Sequence, residues 1–538
     1  MENKDNSTKV SSVKAGGFAQ AQKLDKKSIR WEVFLPGIIV FGLAAVVALI
    51  NGAALADAMN RFFFWSLGKF GWLYTLVTLT SLVIVIILCF SKIGNVRIGG
   101  KEAKSGMSVM TWFTMTLTGG IATGIVTWGV NEPIIYFSNV WGEISTLGIE
   151  PFSQAAYFFA MARVFMHWSF LPYAMYGLAG VFVAYLYFNK KKQLTVTATL
   201  EPLFGPKISG KVGSSIIDTL SMLALGLGIT SGLAQAILIV GSGMNTYTNY
   251  GEIPLSWIIG IGVVLAIAFT FSSSLGFDKG LRRGCWLNAM LFYGLLILLL
   301  IVGPTGQIFR NLTTGLGVWF SNFFNWGLDA GELGGAPLTT AWTMFHWAIW
   351  MAYAPVTAIF LAILSKGRTV REFLLVNWIL PAIFGLVWFS VWGTNALEMQ
   401  RAGNVDLAGI ISETGNAVTG LWLFLQNLPF GLGIVIVPLN IFTIAISYIT
   451  AADATLTKLG SICVRNVPIG TQPPTLIRVI WGVAIGVVGI VLVGAAERLH
   501  GVSGVRELAA AGGFLVLFIF VFIIISAIKV FFIDKIEE

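Results

Sequence analysis

Trp342-Thr-Met-Phe-His-Trp-Ala-Ile-Trp-Met-Ala-Tyr-Ala-Pro355 decides how the rest of this chain is read. Trp347, Trp350 and Tyr353 recur every third residue, a spacing that stacks side chains on one face of a helix. The segment is apolar except for His346. Trp and Tyr usually gather at membrane interfaces, where their polar edges meet water. A cluster of them inside a span instead offers π-faces to a cation. Quaternary ammonium groups, which donate no hydrogen bonds, are held in cages of this kind. The competing reading is plain helix packing by large side chains.

The surroundings are those of a membrane protein. Of 538 residues, 56% are hydrophobic and only 11% charged, where soluble domains carry about 25% charged residues. Runs long enough to cross a bilayer number about twelve: 33–55, 70–91, 107–130, 156–188, 214–245, 253–273, 284–304, 339–364, 373–393, 428–452, 474–494 and 505–528. Backbone groups in lipid must be satisfied internally, so these are helices, and the fold class is an all-α polytopic membrane protein.

The net charge of +9 matters less than its placement. The first 30 residues are polar and Lys-rich, an expected disordered tail. Every second loop after it is basic: Lys92, Arg97, Lys101 and Lys104; Lys190, Lys191 and Lys192; Lys279, Arg282 and Arg283; Lys366, Arg368 and Arg371; Lys458 and Arg465. The alternate loops 137–155 and 246–256 contain no Lys or Arg. This positive-inside pattern predicts both termini in the cytoplasm and an even helix count. It also speaks against a nucleic-acid site.

Cys89, Cys285 and Cys463 are too few and too scattered for a disulfide framework or a metal centre. No nucleophile–base set or phosphate-binding loop occurs, so neither an enzyme nor an ATP-driven pump is expected, and no cofactor. The outer loops 305–337 and 394–427 are the longest, with short surface helices expected in them.

The third run holds Thr116-Leu-Thr-Gly-Gly-Ile-Ala-Thr-Gly124, then Trp128-Gly-Val-Asn-Glu-Pro133. Glycines in a span either let helices pack closely or let the backbone unwind toward a substrate or ion. Gly120 and Gly124 flanked by threonines favour unwinding. The eighth run ends its Trp motif in Pro355, a second candidate break. Two runs five apart, each broken, match the inverted five-helix repeats of many secondary transporters. The division is then 1–30 tail, 31–106 helices one and two, 107–304 first repeat, 305–338 outer loop, 339–528 second repeat and 529–538 short tail.

On these stretches the chain resembles the betaine/choline/carnitine transporter family. Trp342–Pro355 is similar to that family's eighth-helix Trp motif, and Gly119–Pro133 to its glycine stretch. His167-Trp-Ser-Phe-Leu-Pro-Tyr-Ala-Met-Tyr176 is similar to its fourth-helix segment, and Gly276-Phe-Asp-Lys-Gly280 to its cytoplasmic loop. The resemblance implies twelve helices in a LeuT-like fold, with helices 3–7 and 8–12 as the repeats. It implies a homotrimer in a bacterial cell membrane and a trimethylammonium substrate such as glycine betaine, carnitine or choline. It carries the aromatic box onto Trp168, Tyr173, Tyr176 and Trp350. Trp347 and Tyr353 would line the neighbouring path, with Tyr136 a further candidate. A substrate carboxylate would meet amide groups of the glycine stretch.

The chain also departs from the pattern. Ala122 replaces the middle glycine between Gly120 and Gly124, Ile349 and Tyr353 replace tryptophans, and His346 stands where an aromatic is common. Where sodium-coupled members carry Thr-Ser, this chain has Thr450 and Ala451. Where they carry paired threonines in helix five, it has Leu223 and Leu227. Sodium needs several oxygen ligands, so sodium-independent exchange or facilitated uptake is expected. The alternatives are a sodium-coupled symporter with a remodelled site using Thr450 and carbonyls of 118–121, and an amino-acid transporter of the same architecture. A basic C-terminal extension serves osmotic sensing in some relatives. Here the chain closes on Glu537 and Glu538, so no strong osmotic activation is expected.

Four further residues attract attention. Glu132-Pro133 is expected to end a helix near the outer face, and Asp453 to lie at the inner end of helix ten beside a Lys or Arg. His167 reads as structural. His346 reads either as a protonation switch or as a hydrogen-bonded packing residue.

Overall fold

The computed structural model describes residues 28–120, 124–248, 253–276, 280–465, 472–496, 501–534 and 536. The N-terminal tail through residue 27, Ala122, Lys279 and the final Glu537 and Glu538 lie outside the described residues.

The described chain is helical, with β-pairing confined to the bridges Ile29–Val464 and Arg97–Thr369. Helix α1 spans Trp31–Phe90, and non-helical dihedrals at Asn51 divide it into two spans. The third run is α2, Val109–Gly120, and α3, Gly124–Ser138. The fourth is α4, Gln154–Trp168, and α5, Phe170–Phe188, parted at Ser169. Then come α6, Lys211–Asn245, α7, Leu255–Leu275, and α8, Arg282–Val302. The loop 305–337 carries α9, Thr305–Ser321. A wide turn at Ala336–Met344 winds into α10, Phe345–Leu364. Helix α11, Leu380–Arg401, is followed by α12, Leu407–Thr414, and α13, Val418–Gln426. The chain ends with α14, Gly433–Ile462, α15, Thr475–Ala496, and α16, Gly501–Ile528.

Among the described residues, eleven helical stretches are long and apolar enough to cross a membrane. Eleven of the twelve runs correspond to these. The third does not, because neither α2 nor α3 alone is long enough.

Burial separates centre from rim. The most apolar windows of 154–188, 211–245 and 336–364 are 94%, 89% and 83% buried, whereas those of α7 and α8 are 28% and 33%. Helix α10 therefore runs through the middle, packed on α5, α6 and α16. Gly512 and Gly513 make the α16 contact possible: a Cβ there would strike the backbone of Ala224 on α6 and Ala348 on α10.

Several expectations are corrected. Pro133 lies inside α3, and Glu132 is fully buried rather than at a helix end near the outer face. A proline is tolerated in a span where neighbours satisfy the freed carbonyl. Lys458 is no loop residue; it is buried in α14, with Nζ over the Phe360 ring and 3.3 Å from Thr357 Oγ1. Asp453 lies within α14 and not at its end, and its Oδ2 accepts from Ser272 Oγ at 2.6 Å. Past 528 the helix continues as a wide turn, Lys529–Ile533, with Lys529 Nζ on the Pro202 carbonyl at 2.6 Å.

Candidate substrate site

The break between α4 and α5 aims the site. Ser169 has φ −128° and ψ −123°, and its hydroxyl donates back to the Phe165 carbonyl at 2.5 Å. A hydroxyl bonded back onto the preceding turn bends a helix. The bend lets Trp168 at the end of α4 and Tyr173 and Tyr176 on α5 face one residue of α10. That residue is Trp350. Its ring centroid lies 4.9 Å from Tyr173, 5.1 Å from Tyr176 and 6.2 Å from Trp168. Trp168 and Tyr173 approach it nearly edge-on, at 76° and 69°. Gly124, the first residue of α3, faces the same indole: a Cβ there would lie 3.6 Å from Trp168 Cη2.

The other candidates lie elsewhere. Trp347 is fully buried and meets the edge of His167 at 6.1 Å. Tyr353 lies against Gly228 of α6, where a Cβ would come 2.7 Å from its ring. Tyr136 packs on Phe159 and Trp342, and its hydroxyl donates to Glu132 Oε1 at 3.0 Å. The helices of the glycine stretch end at Gly120 and resume at Gly124.

Sequence reasoning missed the hub behind the aromatic cluster. Glu132 accepts from His167 Nδ1 at 2.7 Å and from Tyr136 on Oε1, and from Trp168 Nε1 at 2.7 Å on Oε2. Thr343 Oγ1 holds the far nitrogen of His167 at 3.0 Å. His346 stacks on His167 at 4.5 Å and 23°, and its Nε2 faces Glu132 Oε2 at 3.5 Å. The ligating atoms of Glu132, His167 and His346 come within 4.8 Å of one another. The carboxylate is engaged by three donors, so these side chains form a hydrogen-bond cluster. The signal was available: an acidic group inside a span is normally functional or paired.

Residues 32–535 match the family described as BCCT, betaine/carnitine/choline family transporter. The chain belongs to this family. It is a transporter and not an enzyme. It is 29% identical over 493 residues to the ectoine/hydroxyectoine transporter of Virgibacillus pantothenticus, covering 90% of this chain and 94% of that one. It is 28% identical over 456 residues to the glycine betaine transporter OpuD of Bacillus subtilis (84% and 85%). It is 28% identical over 497 residues to the betaine/ectoine transporter LcoP of Corynebacterium glutamicum (89% and 76%).

In this family member the hydroxyl named for a residual ion site is engaged, while Asn288 Oδ1 and Ser447 Oγ are buried without a hydrogen-bond partner among the described residues. Thr450 Oγ1 donates to the Ser447 carbonyl at 3.0 Å and accepts from Asn288 Nδ2 at 3.4 Å. Ala451, next to it in sequence, and Leu223 on α6 are buried and bring no oxygen of their own side chains.

Proposed function

We propose that this transporter carries small betaine-type solutes, with the cation held by Trp168, Tyr173, Tyr176 and Trp350. The convergence of three rings from the α4–α5 bend on Trp350 supports this reading. A desolvated cation–π contact contributes about 2 kcal/mol, so a few such contacts offset much of the hydration a quaternary ammonium loses. A substrate carboxylate would lie near the start of α3, where backbone amide groups attract anions. Trp347, Tyr353 and Tyr136 line the surrounding path.

Transport proceeds by alternating access of two inverted five-helix repeats in a twelve-helix, LeuT-like fold, the broken third run being the twelfth span. The protein works as a homotrimer in a bacterial inner membrane with both termini cytoplasmic. It is sodium-independent, because Asn288 occupies the Thr450 hydroxyl and Ala451 and Leu223 remove further ligands.

Two relatives named for ectoine favour a second substrate, a cyclic zwitterion with a delocalised cation. Counterflow in proteoliposomes tests both. Vesicles loaded with unlabelled glycine betaine, carnitine, choline or ectoine are given labelled glycine betaine, with and without sodium. Trans-stimulated uptake that ignores sodium is expected. Absence of uptake with every solute would overturn the reading of the aromatic cluster, and an absolute sodium requirement the reading of Thr450.

A further inference from the structure

Glu132 lies inside a membrane-spanning bundle with 0% exposure, as does His167; His346 is 3% exposed. Both imidazoles address one carboxylate, His167 on Oε1 and His346 on Oε2. A lone carboxylate in such a place costs several kcal/mol unless a positive charge accompanies it. The nearest buried guanidinium, Arg163, lies over the rings of Phe159 and Trp326 and acts on Glu132 only through space. His346 Nε2 is buried without a hydrogen-bond partner and faces the remaining side of Oε2. A bare nitrogen lone pair opposite a carboxylate oxygen is repulsive. An Nε2–H of the neutral tautomer relieves this, and a second ring proton turns the contact into an ion pair.

The cluster is tied to the aromatic site by two links. Trp168 donates its indole N–H to Glu132 Oε2 and presents its ring to Trp350. His346 meets the Trp168 ring at 5.1 Å and precedes Trp350 by one helical turn. A negative Glu132 behind Trp168 attracts a cation in front of it and enriches the indole π-face. A proton on His346 cancels that charge.

Resting on the substrate reading above, we infer that Glu132, His167 and His346 form a proton-binding site that competes electrostatically with the cation of the solute. The solute binds tightly when His346 is neutral, and its arrival expels one imidazole proton from the cluster to solvent. By linkage, acid weakens solute binding by the factor with which the solute weakens proton binding.

Among the described residues, the other ionisable groups acting on the cluster are Tyr136 of α3 and Arg163 of α4. Asp329 acts on Arg163, and Glu143 on Tyr136, from the outer loops. Helix α5 presents Tyr173 and Tyr176 to α10, and α14 presents Lys458 further along it.

The test is binding of glycine betaine to the purified full-length protein in the presence of a chelator, from about pH 5 to about pH 8, the range in which histidine changes charge. Glycine betaine itself does not titrate there. The apparent Kd should fall as pH rises, by up to about tenfold per pH unit for one linked proton. Calorimetry in buffers of different ionisation enthalpy should read proton release. H346Y should flatten the profile, and E143Q should keep it. Binding that ignores pH, or proton uptake in place of release, would overturn the inference while leaving the substrate reading intact. A profile kept by H346Y or lost in E143Q would overturn it by assigning the proton elsewhere. No binding at any pH would remove both readings together.

Discussion

The indole N–H of Trp168 lies 2.7 Å from Glu132 Oε2, so one side chain both faces Trp350 and caps a buried carboxylate. W168F separates these roles. It keeps a π-face but leaves Oε2 without that donor, and hydrogen bonds to charged groups contribute about 1.5–3 kcal/mol. Thermal melts of the purified protein should show a destabilisation of that size, with weaker glycine betaine binding in the protein that remains folded. Unchanged melting would mean that the hydrogen bond carries no weight.

Trp350 and Trp347 belong to one motif but should respond differently. Trp350 meets three rings of the α4–α5 bend, whereas Trp347 meets His167. W350A should raise the apparent Kd by about 30-fold, the equivalent of one desolvated cation–π contact. W347A removes a fully buried indole and should cost about 3–5 kcal/mol of stability, with a smaller effect on affinity. Equal effects on binding would dissolve the distinction.

The membrane helices were legible because composition and length alone set them. The resemblance named Trp168, Tyr173, Tyr176 and Trp350 together, and the structure brings these four rings into contact. What sequence could not supply was direction. Residues Trp347 and Trp350 are three apart, yet one faces His167 and the other Tyr173, because the helices around α10 decide which partner each meets. Glu132-Pro133 was misread as a helix end because proline usually breaks helices in water. In this bundle α3 continues through it. The hub itself joins residues from the third, fourth and eighth runs, a separation no local pattern records.

Replacing sodium by potassium should leave counterflow unchanged. The Thr450 hydroxyl donates to Ser447 and accepts from Asn288, and Ala451 and Leu223 have no side-chain oxygen. Hard cations need several oxygen ligands. Uptake that climbs steeply with sodium would show that Asn288 swings away and that backbone carbonyls complete a site.

Asp329 should anchor the approach to α10. Its carboxylate accepts from the amides of Gly331, Leu333 and Gly334 at 2.9, 3.0 and 2.9 Å and from Thr339 Oγ1 at 2.5 Å. Burial pushes its carboxyl up, but the Thr339 hydroxyl and these amides prevail and hold it below the usual aspartate range. That stability is present above the unfolded range and is lost as pH falls through the depressed folded value. D329A should cost about 3 kcal/mol and remove this part of the acid sensitivity in melts; an unaltered acid limb would contradict it.

Glu143 has the opposite sign. It lies in the loop after α3, fully buried, with Oε2 accepting from the Trp141 amide at 3.0 Å. Burial pushes its carboxyl from 4.5 up to about 7. Between those values the folded state holds a proton that the unfolded chain has released. The stabilisation is therefore complete below the unfolded value and is lost as pH rises through about 7. The loss is at most about 3 kcal/mol. Melting temperature should decline over this window in the parent protein, and E143Q, which keeps the shape without the charge, should flatten the decline. A parent protein whose melting rises toward neutrality and above, with E143Q following the same curve, would mean that water reaches the carboxyl and that the loop opens in the membrane-embedded protein.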